Sequence, residues 1–590
     1  MKARQQFGFI RAFVLFSFLL LPLLGWSQTV IYVKADATGS NNGSSWTNAF
    51  TNLQDALTAA DAGTEIWVAS GTYTPSTNPT DRNATFQLKN GVAIYGGFAG
   101  TETDRDQRDW SANLSVLSGD INGSGNLTGN SFTVVTGSGT NDSAMLDGFT
   151  ITAGNANDDA PGAPNDGPTR GGGGMVNDLG SPTLVNLHFS GNSAAENGGG
   201  LYNTRSSSPT LINVSFSGNT SRLGGGIANF AGSNPTLTNV NFSGNTGRFG
   251  GGMTNESGSN PILTDVSFEN NSAEENGGGM RNTAVSSPIL SNVSFSGNTA
   301  RLGGGIVNFF GSNPTLTNVN FSGNTAQQGG GMYNENSNPI LADVSFISNE
   351  ASFHGGGMDN FENSAPTLVN VSFIGNSADR DGGGISNEGS TLLLTNVLFS
   401  GNKADVGGGI WNGVRAASPP GAVSNMRLTN VSFSGNFARF GGGIRNFTGG
   451  NADIRNSVFW NNRDRNGTGS AAASIDSVAG ITQSISFSLV QGCRPGGTWT
   501  ASCRTDGGNN LADTDPLFIA AVDPGSAPTL AGNLRLSVGS PVIDVGNNAF
   551  IPEGVTTDLD GNPRIFGPRV DLGAFEGDFA DRIFRDRFAP

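Results

Sequence analysis

Histidine and cysteine are nearly absent from this chain, with two of each in 590 residues. Cys493 and Cys503 have no histidine beside them, which excludes a zinc centre of the usual kind and leaves a local disulfide as the expected use of the pair. Closing so short a loop contributes about 3 kcal/mol in the chain-entropy view. Charge is also scarce. Charged residues make up 13% of the chain, and 31 Lys and Arg face 47 Asp and Glu for a net charge of −16. Such an acidic balance excludes nucleic acid as a partner and favours a soluble monomer. Long apolar runs are missing except at one place, Val14 to Trp26, which follows Lys2, Arg4 and Arg11 and ends in the small residues Gly25 and Ser27. That pattern predicts a signal peptide over 1–27; a retained anchor is the alternative, though the run is short for a span. No cysteine adjoins the cleavage point, so a lipoprotein is not expected, and no transmembrane span is predicted in the mature chain.

What the chain has in abundance is glycine, 89 residues, with Asn, Ser and Thr, arranged in a repeat. A Phe followed three residues later by Asn returns at Phe189, Phe216, Phe242, Phe268, Phe295, Phe321 and onward to Phe459, and all intervals but one are 25 to 27 residues. The exception, 34 residues between Phe399 and Phe433, contains an insertion around Val414 to Asn425. In the same period a Gly triplet is followed by one apolar residue, one variable residue and an Asn. This gives one column through Asn203, Asn229 and Asn255, and the Phe-linked Asn gives a second through Asn219 and Asn245. Ser221 to Thr246 matches Ala300 to Thr325 at all but three of 26 positions, so part of the array is a duplicated three-coil block.

A period of about 26 residues holds three short strands and three turns and no helical periodicity. Helical solenoids, leucine-rich repeats and propellers are thereby excluded. The predicted fold is all-β: a single-stranded right-handed parallel β-helix with an N-terminal helical cap. In it each residue lies about 4.8 Å above its copy, so Phe stacks on Phe and Asn bonds to Asn as structural ladders.

The predicted organisation is a signal peptide (1–27), an N-terminal cap and irregular first coils (28–170), regular repeats (171–462), irregular C-terminal coils and a cap (463–576) and a short amphipathic tail (577–590). Phe50, Leu53, Leu57 and Ala60 fall at helical spacing and predict the cap helix. The loop Gly154 to Arg170 is expected to project. The tail serves sorting or attachment, or is a frayed end.

The pairing of Gly-Gly-Gly-Ile or Gly-Gly-Gly-Met with Phe-Ser-Gly-Asn resembles the repeats of the polymorphic outer-membrane-protein family. That resemblance implies a surface adhesin, although the last hundred residues lack the serial alternating strands of a translocator barrel. Trp46 to Phe50, Glu65 to Thr72 and Tyr95 to Gly100, with Asp515 to Phe518, Gly539 to Gly546, Asp558 to Arg564 and Asp571 to Glu576, resemble exported bacterial pectin-lyase-like proteins with a choice-of-anchor type C-terminal region. This second resemblance implies a secreted or cell-surface location on the bacterial outer surface.

No catalytic set stands out. The variable residue between each Gly triplet and its Asn, expected to face solvent, shows no cluster of acids. His188 and His354 are six coils apart and cannot share a site. Asp158 and Asp159 read as a solvated turn, as do Asp558, Asp560 and Asn562, whose glycine is misplaced for a calcium loop. No cofactor and no metal is expected. Asp359, Trp411 and Arg445, placed on neighbouring coils beside the insertion, are the predicted ligand-binding patch, for a glycan or a surface protein; a polysaccharide lyase or glycoside hydrolase is the alternative function.

Overall fold

The computed structural model describes residues 29–158, 169–415 and 421–577. The expected signal peptide, the middle of the Gly154 to Arg170 loop with Asp159, and nearly all of the tail lie outside the described residues. One coil consists of the strands Thr236–Ser243, Thr246–Phe249 and Met253–Asn255. Each strand pairs in parallel with its equivalent one coil on, Phe242 with Phe268, Thr246 with Ser272 and Asn255 with Asn282. The result is a parallel β-helix whose side chains form vertical columns.

Register explains the interior. Phe216, Phe242, Phe268, Phe295 and Phe321 stack with ring centroids 4.6 to 5.0 Å apart and planes within 7°. The third Gly of each triplet allows this, because a Cβ on Gly226 would stand 2.8 Å from the Phe242 ring and 2.6 Å from the Gly252 carbonyl. Buried amides form the two expected ladders. Asn203 donates to Asn229 at 2.9 Å and Asn229 to Asn255 at 2.8 Å. In the second ladder Asn245 Nδ2 donates to the Phe216 carbonyl and to Asn271 Oδ1, both at 2.9 Å, while its own Oδ1 accepts from Asn219. A buried serine ladder, Ser207 to Ser233 to Ser259, adds a third.

The long strand carries a kink that the alternation rule hides. Leu237 and Val240, three residues apart, both point inward. They do so because Asn239 has φ 54°, and every coil from Asn186 to Asn456 has an Asn or Asp in this left-handed position. Asn and Asp are the side-chain-bearing residues that accept it most readily.

At the N-terminal end α1, Leu53–Ala59, is capped by the Asn52 side chain and buries Leu53, Ala56 and Leu57 against the first rungs. At the other end the coils continue through Gln483–Ser486 and Thr505–Asp506. The disulfide between Cys493 and Cys503 lies buried there, closing the apolar interior together with Trp499. The rest of the region expected as final coils and cap goes elsewhere. Residues 515–577 turn back along the outside of the long sheet, where Leu398 packs with Val522, Leu534 and Phe575, and Val458 with Leu536, Val542 and Leu572. No helix among the described residues is long and apolar enough to cross a membrane.

Candidate functional site

The variable position after the Gly triplet does not face solvent as expected. Asp359 is 2% exposed, Trp411 3% and Ser386 not at all. The cause is the first glycine of the triplet. Gly355 has φ 65°, and a Cβ there would lie 2.7 Å from Asp359 Cβ, so the turn folds over the strand and the variable column lies at the floor of a trough. Its walls are the residue before the triplet and the residue two places after the column.

In parallel register Asp359 neighbours Ser386, which neighbours Trp411, which neighbours Arg445. Asp359 and Trp411 are therefore two rungs apart with Ser386 between them, not on neighbouring coils as expected. Arg445 turns away to pair with Asp476 and does not join the other two. Over Trp411 lies Arg415, from the inserted residues, whose charge also acts on Asp359. Its guanidinium lies 4.1 Å over the Trp411 ring and donates to Asp381 Oδ2 at 2.8 Å, to Glu388 Oε2 and towards His354 Nδ1 at 3.1 Å. His354 Nδ1 is also 3.2 Å from Asp381 Oδ2. That nitrogen can accept from Arg415 or donate to Asp381, not both.

Three acids thus converge from three columns: Asp381 before the triplet, Asp359 on the floor, Glu388 beyond it. The floor column alone shows no acidic cluster, which is why it escaped the sequence; comparing the three columns rung by rung would have found it. Their environments differ. Burial pushes the Asp359 carboxyl above its usual range, with the neighbouring His354 and Arg415 opposing. Burial also pushes Asp381 up, but hydrogen bonds from His354 and Arg415 outweigh it and hold Asp381 below its usual value. One rung back, Tyr333 donates to Glu335 at 3.2 Å, and burial followed by the Asp359 charge raises the phenol. A hydrogen bond from the neighbouring Ser386 hydroxyl also opposes the rise at Asp359.

The other residues singled out serve the fold. His188 bonds Ser215 at 2.6 Å on the long sheet, and burial lowers it. Asp558 caps its own turn, accepting from the Asp560, Asn562 and Glu576 amides. No group of three His, Cys, Asp or Glu side chains among the described residues, the three acids beside Arg415 included, is placed to hold a metal ion.

A profile of the Chlamydia polymorphic membrane protein repeat matches residues 186–204 and 370–388, the second ending in the trough at Glu388. No curated protein matches the chain. Among solved structures, pectate lyase Pel9A aligns over 93% of this chain and 96% of its own at 14% identity and a TM-score of 0.23. A rhamnogalacturonan lyase aligns over 83% and 91% at 12% identity and a TM-score of 0.16. The fold itself rests on the strand register described above. The chain is a parallel β-helix bearing repeats of the polymorphic membrane protein type.

Proposed function

We propose that this protein is exported, held at the cell surface, and acts as an adhesin-like interaction module for a glycan or protein ligand. The observation that carries the reading is the outer face of the long sheet. Asn213, Asn239, Asn292 and Asn318 repeat at consecutive or near-consecutive rungs, exposed, each using one amide hydrogen to bond the rung before. All four side chains are exposed on this face. A repetitive, regularly spaced row of donors suits many weak contacts with a repetitive or extended partner rather than capture of one small molecule. The 1–27 segment would direct export, and the 515–577 region, with its anchor-type sequence, would lie against the rod rather than extend it.

The test is a glycan and surface-protein array probed with the purified mature chain, together with cell fractionation. Saturable binding and recovery in the surface or secreted fraction are expected. A cytoplasmic location with the initiator segment intact overturns the reading.

One observation favours the enzyme alternative: Asp359 and Asp381 are driven in opposite directions, the arrangement that separates a general acid from a base. Against it, the guanidinium of Arg415 already engages Asp381 and Glu388. A panel of uronic and neutral polysaccharides assayed for new reducing ends or unsaturated products decides, and any turnover lost in Asp359→Asn establishes the enzyme.

A further inference from the structure

Where the outer Asn column begins, a loop stands against the long sheet. It joins Ala93–Phe98 to Ser115–Ser118 and ends in one α-turn, with the Asn113 amide donating to the Asp109 carbonyl at 2.8 Å. Trp110 and Leu114, four residues apart on this turn, line one cavity and are 43% and 55% exposed. Trp110 is the only exposed tryptophan among the described residues.

The indole is exposed but firmly held. Gly97, at φ 93°, and Gly148, at φ 85°, let the loop close on the sheet: a Cβ on Gly97 would stand 2.7 Å from Trp110 Cα, and one on Gly148 3.2 Å from Trp110 Cβ. Asp109 accepts from the Ser111 and Ala112 amides and fixes the turn. The Arg108 guanidinium lies 5.1 Å from the Trp110 ring centroid and is itself pinned by Asp147 at 2.5 Å.

The cavity measures about 410 Å³, within the range of small-molecule sites. Opposite Trp110 and Leu114, the long sheet presents Thr150, Asn186, Asn213 and Ser215. Asn186 donates to Asp147 at 2.8 Å and Asn213 to Asn186 at 3.1 Å, so each amide uses one hydrogen of its two. No Asp, Glu, Lys or Arg among the described residues lines the cavity.

These walls select the ligand. A phosphate, a uronate or a cation would lose water here and gain no opposite charge. A plain hydrocarbon would strip water from the amides and hydroxyls without replacing their bonds. A neutral molecule with an apolar face for the indole and hydroxyls at its edge satisfies both walls, and a pyranose ring is such a molecule. The cavity shares Asn213 and Ser215 with the groove that runs on past Asn239 and Asn292, so a glycan seated here can continue along the bare column.

We propose that this cavity binds one neutral pyranose residue of a glycan, stacked on Trp110, and so sets where the glycan enters the bare face. The proposal rests on the reading of the chain as an interaction module and deepens it by naming the ligand class and its anchoring residue.

The experiment titrates the mature chain with methyl pyranosides of glucose, galactose, mannose and N-acetylglucosamine, and with neutral tetrasaccharides of the same sugars, by calorimetry. Saturable binding of at least one is expected, weakened at least about tenfold in Trp110→Ala. Hydroxyl-radical footprinting of the wild type, which needs no folded variant, should show slower labelling of Trp110 and Leu114 when that sugar is bound. No saturable binding of any neutral sugar, equal affinity in wild type and Trp110→Ala, equal binding of tetragalacturonate, or unchanged labelling of Trp110 overturns the proposal. Capture of a surface protein through Trp110 without any sugar binding also overturns it and leaves the adhesin-like reading standing. A cytoplasmic location overturns that reading without touching the titration, so the two fail separately.

Discussion

The long sheet has the same inner face throughout but two different outer faces. From Asn213 to Asn318 it is bare. From Asn396 to Asn456 it is covered by the returning C-terminal segment: Asn396 donates to the Thr557 carbonyl at 2.7 Å, Asn430 to that of Asp571 at 3.0 Å and Asn456 to that of Asn547 at 3.1 Å. The Asn column is common to both regions. What changes is the outward residue preceding each stacked Phe, which is Ser215, Asn241, Ser267, Ser294 and Asn320 on the bare coils but Leu398, Ser432 and Val458 on the covered ones, where buried Ser432 accepts from the Ala574 amide between its two apolar neighbours. The amide column supplies hydrogen bonds in both places; the apolar outward residues on the flanking coils, Leu398 and Val458, distinguish the face where the segment docks.

The largest effect should come from the inner face that both regions share. Asn245→Ala removes the acceptor of the Asn219 amide and side chain and the donor to the Phe216 carbonyl, all buried. At about 1–3 kcal/mol for each group left unpaired, the local loss should reach about 3 kcal/mol or more. Hydrogen exchange is the right measurement, since a solenoid opens by neighbouring coils rather than all at once. Unchanged protection at Ser215 to Ser217 and at Ser267 to Glu269 would contradict the ladder's role.

Next in size is conversion of the covered face into a bare one. Leu398→Ser or Val458→Ser removes a buried apolar side chain that contributes about 1.5–3 kcal/mol. The C-terminal segment should then release: limited proteolysis should cut between 530 and 577 while the coils stay protected. Cleavage no faster than in the wild type would show that the hydrogen bonds suffice to hold it.

This contrast also marks the boundary of what the sequence discloses. Columns of identical inward residues, Phe216 to Phe321 and Asn219 to Asn245, are legible because stacking demands the same residue on every rung. The α1 helix is legible from its apolar spacing. The lateral docking is not, since it turns on single outward positions such as Leu398 and Val458 standing against a periodic background. The left-handed Asn239 column is written in the sequence as an Asn or Asp three residues before each stacked Phe, but Asp and Asn alternate in it, so it lacks the strict identity of the two buried Asn columns. In the candidate site Asp359 and Trp411 were found from their column, whereas Asp381 and Glu388 come from neighbouring columns and Arg415 from an insertion with no period at all. Arg445 was included because column membership says nothing about where a long side chain turns, and Asp476 draws it away.

The covered face should also respond to pH, and the bare one should not. Arg564, 1% exposed, donates to Glu576 at 2.7 Å inside the docked segment. Burial pushes Glu576 up to about 8, with Arg564 opposing and Asp571 adding to the rise. Burial likewise pushes Asp571 up to about 6, against hydrogen bonds from the Gly577 and Asp544 amides. Carboxyls raised on folding stabilise fully below their ordinary values and lose that contribution as pH rises through the folded ones. Docking should therefore be tightest below about pH 3.8 and weaken up to about pH 8. Exchange at 544–577, corrected for intrinsic rate, should show falling protection over that window, and a rise would contradict the direction.

The smallest effect isolates the Asn column itself. Glycine keeps the left-handed backbone, so Asn456→Gly and Asn239→Gly remove only a side chain from the same structural position. Asn456 accepts from the Asn547 amide at 2.9 Å as well as donating to its carbonyl, in buried surroundings, and its loss should cost about 1–3 kcal/mol of docking. Asn239 is exposed, and its bond to Asn213 at 2.8 Å competes with water. Its replacement should change local opening by less than about 0.5 kcal/mol. Equal costs at the two positions would mean that the column is a structural ladder along its whole length, and that its exposed amides are not held in reserve for a partner.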